Sequence, residues 1–273
     1  IHYWDPHRPY APPPEYIERV SEDYEGEIPV DSYGLMMRPP SFWESRREEA
    51  EHLRRLYAQE IQYMDKHIGR VFEQFDRQGL VENTFFIVLA DHGEGLGEKG
   101  RYFMHESLYE FDVRVPFYLR LPGKYVSGKQ EKVADVEPVV EIVDVIPTLL
   151  EMLDLDWKAE YDLQGRSLGP LLNGGTAEWE QEALFSSMHW KGLRQGSWKW
   201  FIDSEDREHL YRLTEDPEER NNLADSEQEQ ARKMSESFNR LLEEMADVSF
   251  EPETHVDPEA IERLKQLGYL GDT

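Results

Sequence analysis

A carboxylate and an imidazole, Asp91 and His92, follow directly on the apolar run Phe85-Phe86-Ile87-Val88-Leu89-Ala90, and a second imidazole, His105, closes the glycine-rich stretch behind them. Asp and His are both ligand types for a divalent cation, and a protonated imidazole donates to the oxygens of a bound anion. Gly93, Gly95, Gly97 and Gly100 let the intervening backbone turn sharply and approach a bound group closely. Near the start of the chain, Asp5, His7 and Arg8 gather in a proline-rich turn, IHYWDPHRPYAPPP, that cannot be helical. His7 gains a chemical reading only if a neighbouring strand end carries an anion site. Each group taken singly reads first as a polar turn with solvated side chains, so the elements that carry them decide.

The apolar run 85–90 has the pattern of a strand covered on both faces, as in an α/β sheet. Open α/β sheets place their ligands at the C-terminal ends of such strands, where Asp91 and His92 stand. Ahead of it, Ser41 is placed to cap a long helix running to about Gln78, with an apolar stripe of Leu53, Tyr57, Ile61, Met64, Ile68, Phe72 and Phe75. His52 and His67 lie in this helix among charged residues and read as solvated. A helix leading into a buried strand is half of a βαβ unit, which predicts a mainly parallel sheet. Ile1 to Trp4 reads as the end of another buried strand. Residues 113–121 read as a further strand with Pro116 at an edge or bulge, and Val139 to Leu153 turns helical with Asp144 as N-cap.

Past Asp162 to Gly175, a loop and short helix, strand-like alternation at 183–188, 190–194, 197–203 and 209–213 predicts a small antiparallel unit, with an amphipathic helix over 226–245. Trp190, Trp198 and Trp200 offer a sugar-stacking platform, although aromatic residues on a half-buried sheet are the commoner arrangement. The expected division is residues 1–175 as an α/β unit, 176–250 as the antiparallel sheet plus helix, and 251–273 as a tail with a short helix.

Fifty-seven acidic residues against 30 basic ones give a net charge of −27, which repels nucleic acid and anionic lipid and attracts cations. No cysteine is present, so disulfides, zinc-thiolate sites and a cysteine nucleophile are excluded within the chain. No apolar run approaches the roughly 18 residues of a membrane span.

In their order along the chain, HYWDPHRPYAPP, YMDKHIGRVFEQFDRQGLVENTFFIVLADHGEGLGEKG, FMHESLYEFDVRVPFYLRLPG, VDVIPTLLEML, DLQGRSLGPLL, LYRLTEDPEERNNLA and IERLKQLGYLG resemble the C-terminal part of a sulfatase, in the alkaline phosphatase-like superfamily. The resemblance implies an α/β fold of the alkaline phosphatase type, present in part. It also implies that Asp91 and His92 bind a divalent cation, and that His105 contacts the sulfate or phosphate oxygens. His7 resembles the histidine that contacts the ester and helps the leaving oxygen depart. Lys99 stands where relatives commonly have His, and reads as a solvated loop lysine. Carboxylate ligation suits Ca²⁺ first, with Mg²⁺, Mn²⁺ or Zn²⁺ also compatible with an imidazole ligand.

In the family the nucleophile is a formylglycine made from Cys or Ser in a Cys/Ser-x-Pro-Ser/Ala-Arg motif, preceded by an Asp-Asp pair. Neither occurs here, and the nearest string, Ser41-Phe42-Trp43-Glu44-Ser45-Arg46, lacks the proline. The resemblance thus implies a sulfatase portion without its nucleophile, inactive alone, acting with the absent segment on a sulfate ester of a small molecule or glycan. Two alternatives stand beside it. One is a phosphodiesterase, phosphonate ester hydrolase or phosphotransferase of the same superfamily. The other is a non-catalytic binding or assembly protein, associating with itself or a partner through an open sheet edge.

Overall fold

The computed structural model describes residues 1–21, 24, 34–35, 38–125, 138–155, 163–173, 179, 182–187 and 189–246. The terminal helix expected within 251–273 lies outside the described residues. After a proline-rich loop, α1 spans Pro14–Ser21 and packs on the long helix α3, Arg47–Arg77. Between them α2, Pro40–Glu44, begins at Pro40, whose fixed φ suits a first helical position. Ser41 therefore lies inside a short helix instead of capping the long one. Arg46, at φ −129°, breaks the chain between the two. Gly79, at φ +67°, follows the end of α3 as a left-handed stop.

Phe86–Leu89 forms β1, and it pairs antiparallel with β4, Phe117–Arg120, in the register Phe86↔Arg120 and Leu89↔Phe117. The expected mainly parallel sheet is not seen among the described residues. Nor is β1 covered on both faces. Phe72 and Phe75 of α3 pack on Phe86 at ring-centroid distances of 4.5 and 5.1 Å, whereas Leu89 is 39% exposed and Tyr118 68% exposed. With β4 as its one neighbour here, the strand has an apolar sequence but only partial cover. Likewise Ile1 to Trp4 forms no strand, and Ile1 projects into solvent.

The segment between β1 and β4 holds a small hairpin, β2 (Gly95–Leu96) with β3 (Tyr102–Met104), followed by the single-turn helix α4, Glu110–Val113. Buried Phe103, Trp43, Tyr10 and Leu53 form the core joining this hairpin to α2, α3 and the N-terminal loop. Farther on, α5 (Val145–Met152) follows a capping box of Glu141 and Asp144. The Asp144 carboxylate accepts the backbone N–H of Glu141 at 2.9 Å and of Arg166 at 2.9 Å, so it is a structural residue. It ties α5 to the loop before α6, Gly169–Leu172.

Four strands, β5 (Glu182–Ser187), β6 (Trp190–Gln195), β7 (Trp198–Ile202) and β8 (Glu208–Arg212), form the antiparallel sheet the alternation predicts. Residues on β7 alternate between its faces. Trp200 packs with Leu193 and Leu210 against Met234 and Phe238 of α7 (Gln228–Ala246). Phe201 and Lys199 face the other way, where Phe201 meets Leu108, Tyr109 and Tyr211. Trp190 and Trp200 are buried in these two layers, so they are core and no sugar platform. At the two edge strands, Glu141 accepts the N–H of Leu184 on β5 at 3.0 Å, and Asn222 accepts that of Leu210 on β8 at 3.0 Å.

Candidate functional site

β1 delivers Asp91 and His92 to its C-terminal end, and the turn closes on itself. The Asp91 carboxylate accepts the His92 backbone N–H at 3.0 Å, and its side chain is 67% exposed. His92 Nδ1 lies 2.8 Å from the Gly93 carbonyl oxygen. A carbonyl only accepts, so Nδ1 donates, which in a neutral ring leaves the lone pair on Nε2, 3.9 Å from Asp91 Oδ1. Gly93 is required at this point, because a Cβ there would sit 1.9 Å from the Phe111 carbonyl oxygen. Its N–H donates to the Asp112 carbonyl at 2.7 Å, which fastens the strand end to α4.

The β2–β3 hairpin then brings His105 back over His92, the two rings stacked with centroids 3.9 Å apart and planes at 22°. His7 arrives from the N-terminal loop with its ring 5.6 Å from that of His105. Two neighbours place it there: the guanidinium of Arg8 donates to the Phe103 carbonyl, and Tyr10 packs on Phe103. His7 Nδ1–H donates to the Arg8 carbonyl at 2.7 Å. Burial holds His7 below the usual histidine range, against the raising effect of that bond. A neutral His7 therefore offers Nε2 as an acceptor, whereas donation to an ester oxygen requires it first to gain a proton. Trp4 lies against its ring at 4.4 Å.

Asp91, His92, His105 and His7 are thus neighbours. Asp91 and His92 fit a cation as two of its ligands, an open carboxylate and an imidazole already oriented through Nδ1 with Nε2 free. Among the described residues no group of three or more His, Cys, Asp or Glu stands close enough to hold a metal. The donor set within the described residues is partial.

Two acids beneath the rings were not singled out in the sequence. Glu94 Oε1 stands 3.6 Å from His105 Nδ1, with its side chain only 5% exposed. Asp112 accepts from the backbone N–H of Ser107 at 2.9 Å and from its hydroxyl. Burial pushes Asp112 up to about 6, against the pull of the Ser107 donors. A lone acid between two glycines, as Glu94 is, or between Phe111 and Val113 at the start of a strand-like run, as Asp112 is, looks like an ordinary solvated residue, so neither had a sequence signal. Two further expectations are overturned. Lys99 is no solvated lysine: its ammonium donates to the Glu219 carbonyl and lies 5.5 Å from the centre of the Tyr109 ring. His52 is buried and stacked on Tyr24 at 4.0 Å, while His67 is half-buried against Tyr63.

Residues 1–155 match the family described as Sulfatase, and residues 97–247 match the one described as N-sulphoglucosamine sulphohydrolase, C-terminal. An arylsulfatase of Clostridium perfringens is 31% identical over 178 residues, covering 63% of this chain and 36% of that protein. A choline-sulfatase of Rhizobium meliloti is 27% identical over 245 residues, covering 83% of this chain and 46% of that protein. Among solved structures, a protein in complex with its substrate D-glucosamine-2-N,6-O-disulfate superposes with a TM-score of 0.57 at 25% identity, over 73% of this chain and 41% of its own. The phosphonate monoester hydrolase of Silicibacter pomeroyi superposes at 0.63 and 21% identity, over 90% and 55%, which is a likeness of fold. The chain spans less than half the length of these two curated relatives. A match over more than half of its residues, running through both the Asp91 strand end and the His105 hairpin, makes the chain a member of the sulfatase family.

Proposed function

We propose that these residues form the metal-and-anion half of the active site of a sulfuric ester hydrolase acting on a sulfated sugar. The observation that carries this reading is the convergence of Asp91, His92, His105 and His7 at one strand end, with His92 and His105 in ring contact. A sulfate ester is an anion attacked by an oxygen nucleophile, so its charge must be met by fixed donors before the barrier falls. Asp91 and His92 would hold a divalent cation, Ca²⁺ first among the candidates, which neutralises charge on the ester. His105 would meet the non-bridging oxygens, and His7 the leaving oxygen once it has gained a proton. The formylglycine motif and the Asp-Asp pair do not occur in the sequence, and in this reading a further segment would supply them. A sugar as the carrier of the sulfate is favoured by the match of residues 97–247 to an N-sulphoglucosamine sulphohydrolase family.

Joined to a nucleophile-bearing N-terminal segment, the chain should hydrolyse an aryl sulfate faster than the matched aryl phosphate. Asp91→Ala should lower kcat/KM by about 10²-fold or more. A preference for the phosphate would instead indicate a phosphoester or phosphonate ester hydrolase, and full activity in Asp91→Ala would remove the metal assignment.

A further inference from the structure

The three imidazoles of the site differ in what lies behind them. His92 and His7 each give Nδ1–H to a backbone carbonyl, at 2.8 and 2.7 Å. His105 has no carbonyl there. Its Nδ1 is buried without a hydrogen-bond partner, and so is Oε1 of Glu94, with the two atoms 3.6 Å apart. Leaving two buried polar atoms unsatisfied is unfavourable, and both penalties vanish if the pair closes by roughly half an ångström to hydrogen-bond distance. Glu94 is itself held in a closed place, with the Tyr10 phenol beside its carboxylate.

We propose that Glu94 is a positioning residue for His105: its carboxylate accepts the Nδ1 proton, so that Nε2 is the atom His105 presents to the sulfate group and, once the ring has gained its second proton, donates to it. This rests on the sulfatase reading for the identity of the anion, but the contact between Glu94 and His105 does not. With Nδ1 of all three rings turned to an acceptor within the chain, the three Nε2 atoms are left as the polar surface that a ligand meets. Of these acceptors only Glu94 is a side chain, so only this one can be altered without touching the backbone.

The tautomer of His105 reads the contact directly in the chain as it is. Above about pH 8, where imidazoles are neutral, long-range ¹H–¹⁵N correlation of histidine-labelled protein, assigned with His105→Gln, should show His105 protonated at Nδ1. Glu94→Gln, whose amide oxygen still accepts, should keep that form. Glu94→Ala should move the proton to Nε2, the form preferred by imidazole side chains in water, and shift both nitrogen resonances by tens of ppm. A merely structural role for Glu94 would change stability without moving the tautomer. An Nε2-protonated His105 in the wild type, or a Glu94→Ala spectrum identical to it, overturns the proposal; if Glu94→Ala does not fold, the wild type and Glu94→Gln still decide. At about pH 6 or below, where imidazoles carry a second proton and Nε2 can donate, titration with inorganic sulfate should then shift the His105 Nε2 resonance. Nδ1 protonation without that shift would support the Glu94 contact and overturn the anion reading of the site.

Discussion

Single buried acids give the site region its chemical character. Besides Glu94 and Asp112, Glu60 on α3 is buried and accepts the Ala11 backbone N–H at 2.7 Å, anchoring the loop that carries His7. Burial pushes Glu60 up to about 8, the Ala11 bond opposes that, and Asp5 adds to it. The folded chain therefore holds a proton that the unfolded chain has already lost between about pH 4.5 and 8. Stability must fall as pH rises through that window. Glu60→Gln, which keeps an acceptor for Ala11 and cannot ionise, should be more stable than wild type at pH 8 by about 2–4 kcal/mol and should show a flatter dependence of Tm on pH. Equal slopes in the two proteins would show that another group is responsible. In the sequence, Glu60 is one more acid in a charged helix, and only its neighbours in space reveal the burial.

At the scale of elements, the site depends on how closely β1, the β2–β3 hairpin and α4 approach one another. Gly93 sets that approach, with the Phe111 carbonyl oxygen 1.9 Å and its carbon 2.9 Å from where a Cβ would stand. Gly93→Ala should push α4 away, break the 2.7 Å bond from Gly93 N–H to Asp112, and cost about 1–3 kcal/mol or more. Gly69→Ala, in the interior of α3 with nothing within 4 Å of the added Cβ, should instead stabilise by about 0.5–1 kcal/mol. Urea denaturation of the pair measures both, and equal midpoints would show that the strand end does not press on α4. The existence of most of these elements was legible in the sequence, because the long helix, the apolar strand and the alternating C-terminal strands each have a clear period. The break at Ser45 and Arg46 was not, nor was the antiparallel partner of β1, since pairing direction has no period of its own.

Across the whole molecule, the C-terminal sheet is joined to the site region by charge as well as by apolar contact. Lys199 has a side chain 0% exposed and lies 2.8 Å from both Glu110 of α4 and Glu219. Glu219 accepts the backbone N–H of Glu110 at 2.7 Å and also receives Lys99 from the β2–β3 hairpin. Arg101 of the same hairpin stacks over Trp190 at 4.9 Å. The C-terminal sheet thereby holds the segment on either side of His105. Lys199→Met would leave the buried Glu219 carboxylate without its cation, while Glu110 keeps Arg194 at 3.8 Å, and should cost about 3–5 kcal/mol, read as a fall in Tm. A variant melting as wild type would show that the ion pairs are dispensable to the junction. These contacts join residues far apart in the chain, so no local pattern announced them.

The order of residues already determined the family, the apolar strand ending in Asp91 and His92, the long helix and the antiparallel C-terminal unit, because each is written as a motif or as a local period of hydrophobicity. Folding alone decided that His7 reaches His105, that Glu94 stands behind it, and that Lys99 belongs to the C-terminal junction. Such contacts are fixed by long-range packing, in which a side chain's surroundings come from residues its neighbours in sequence do not specify.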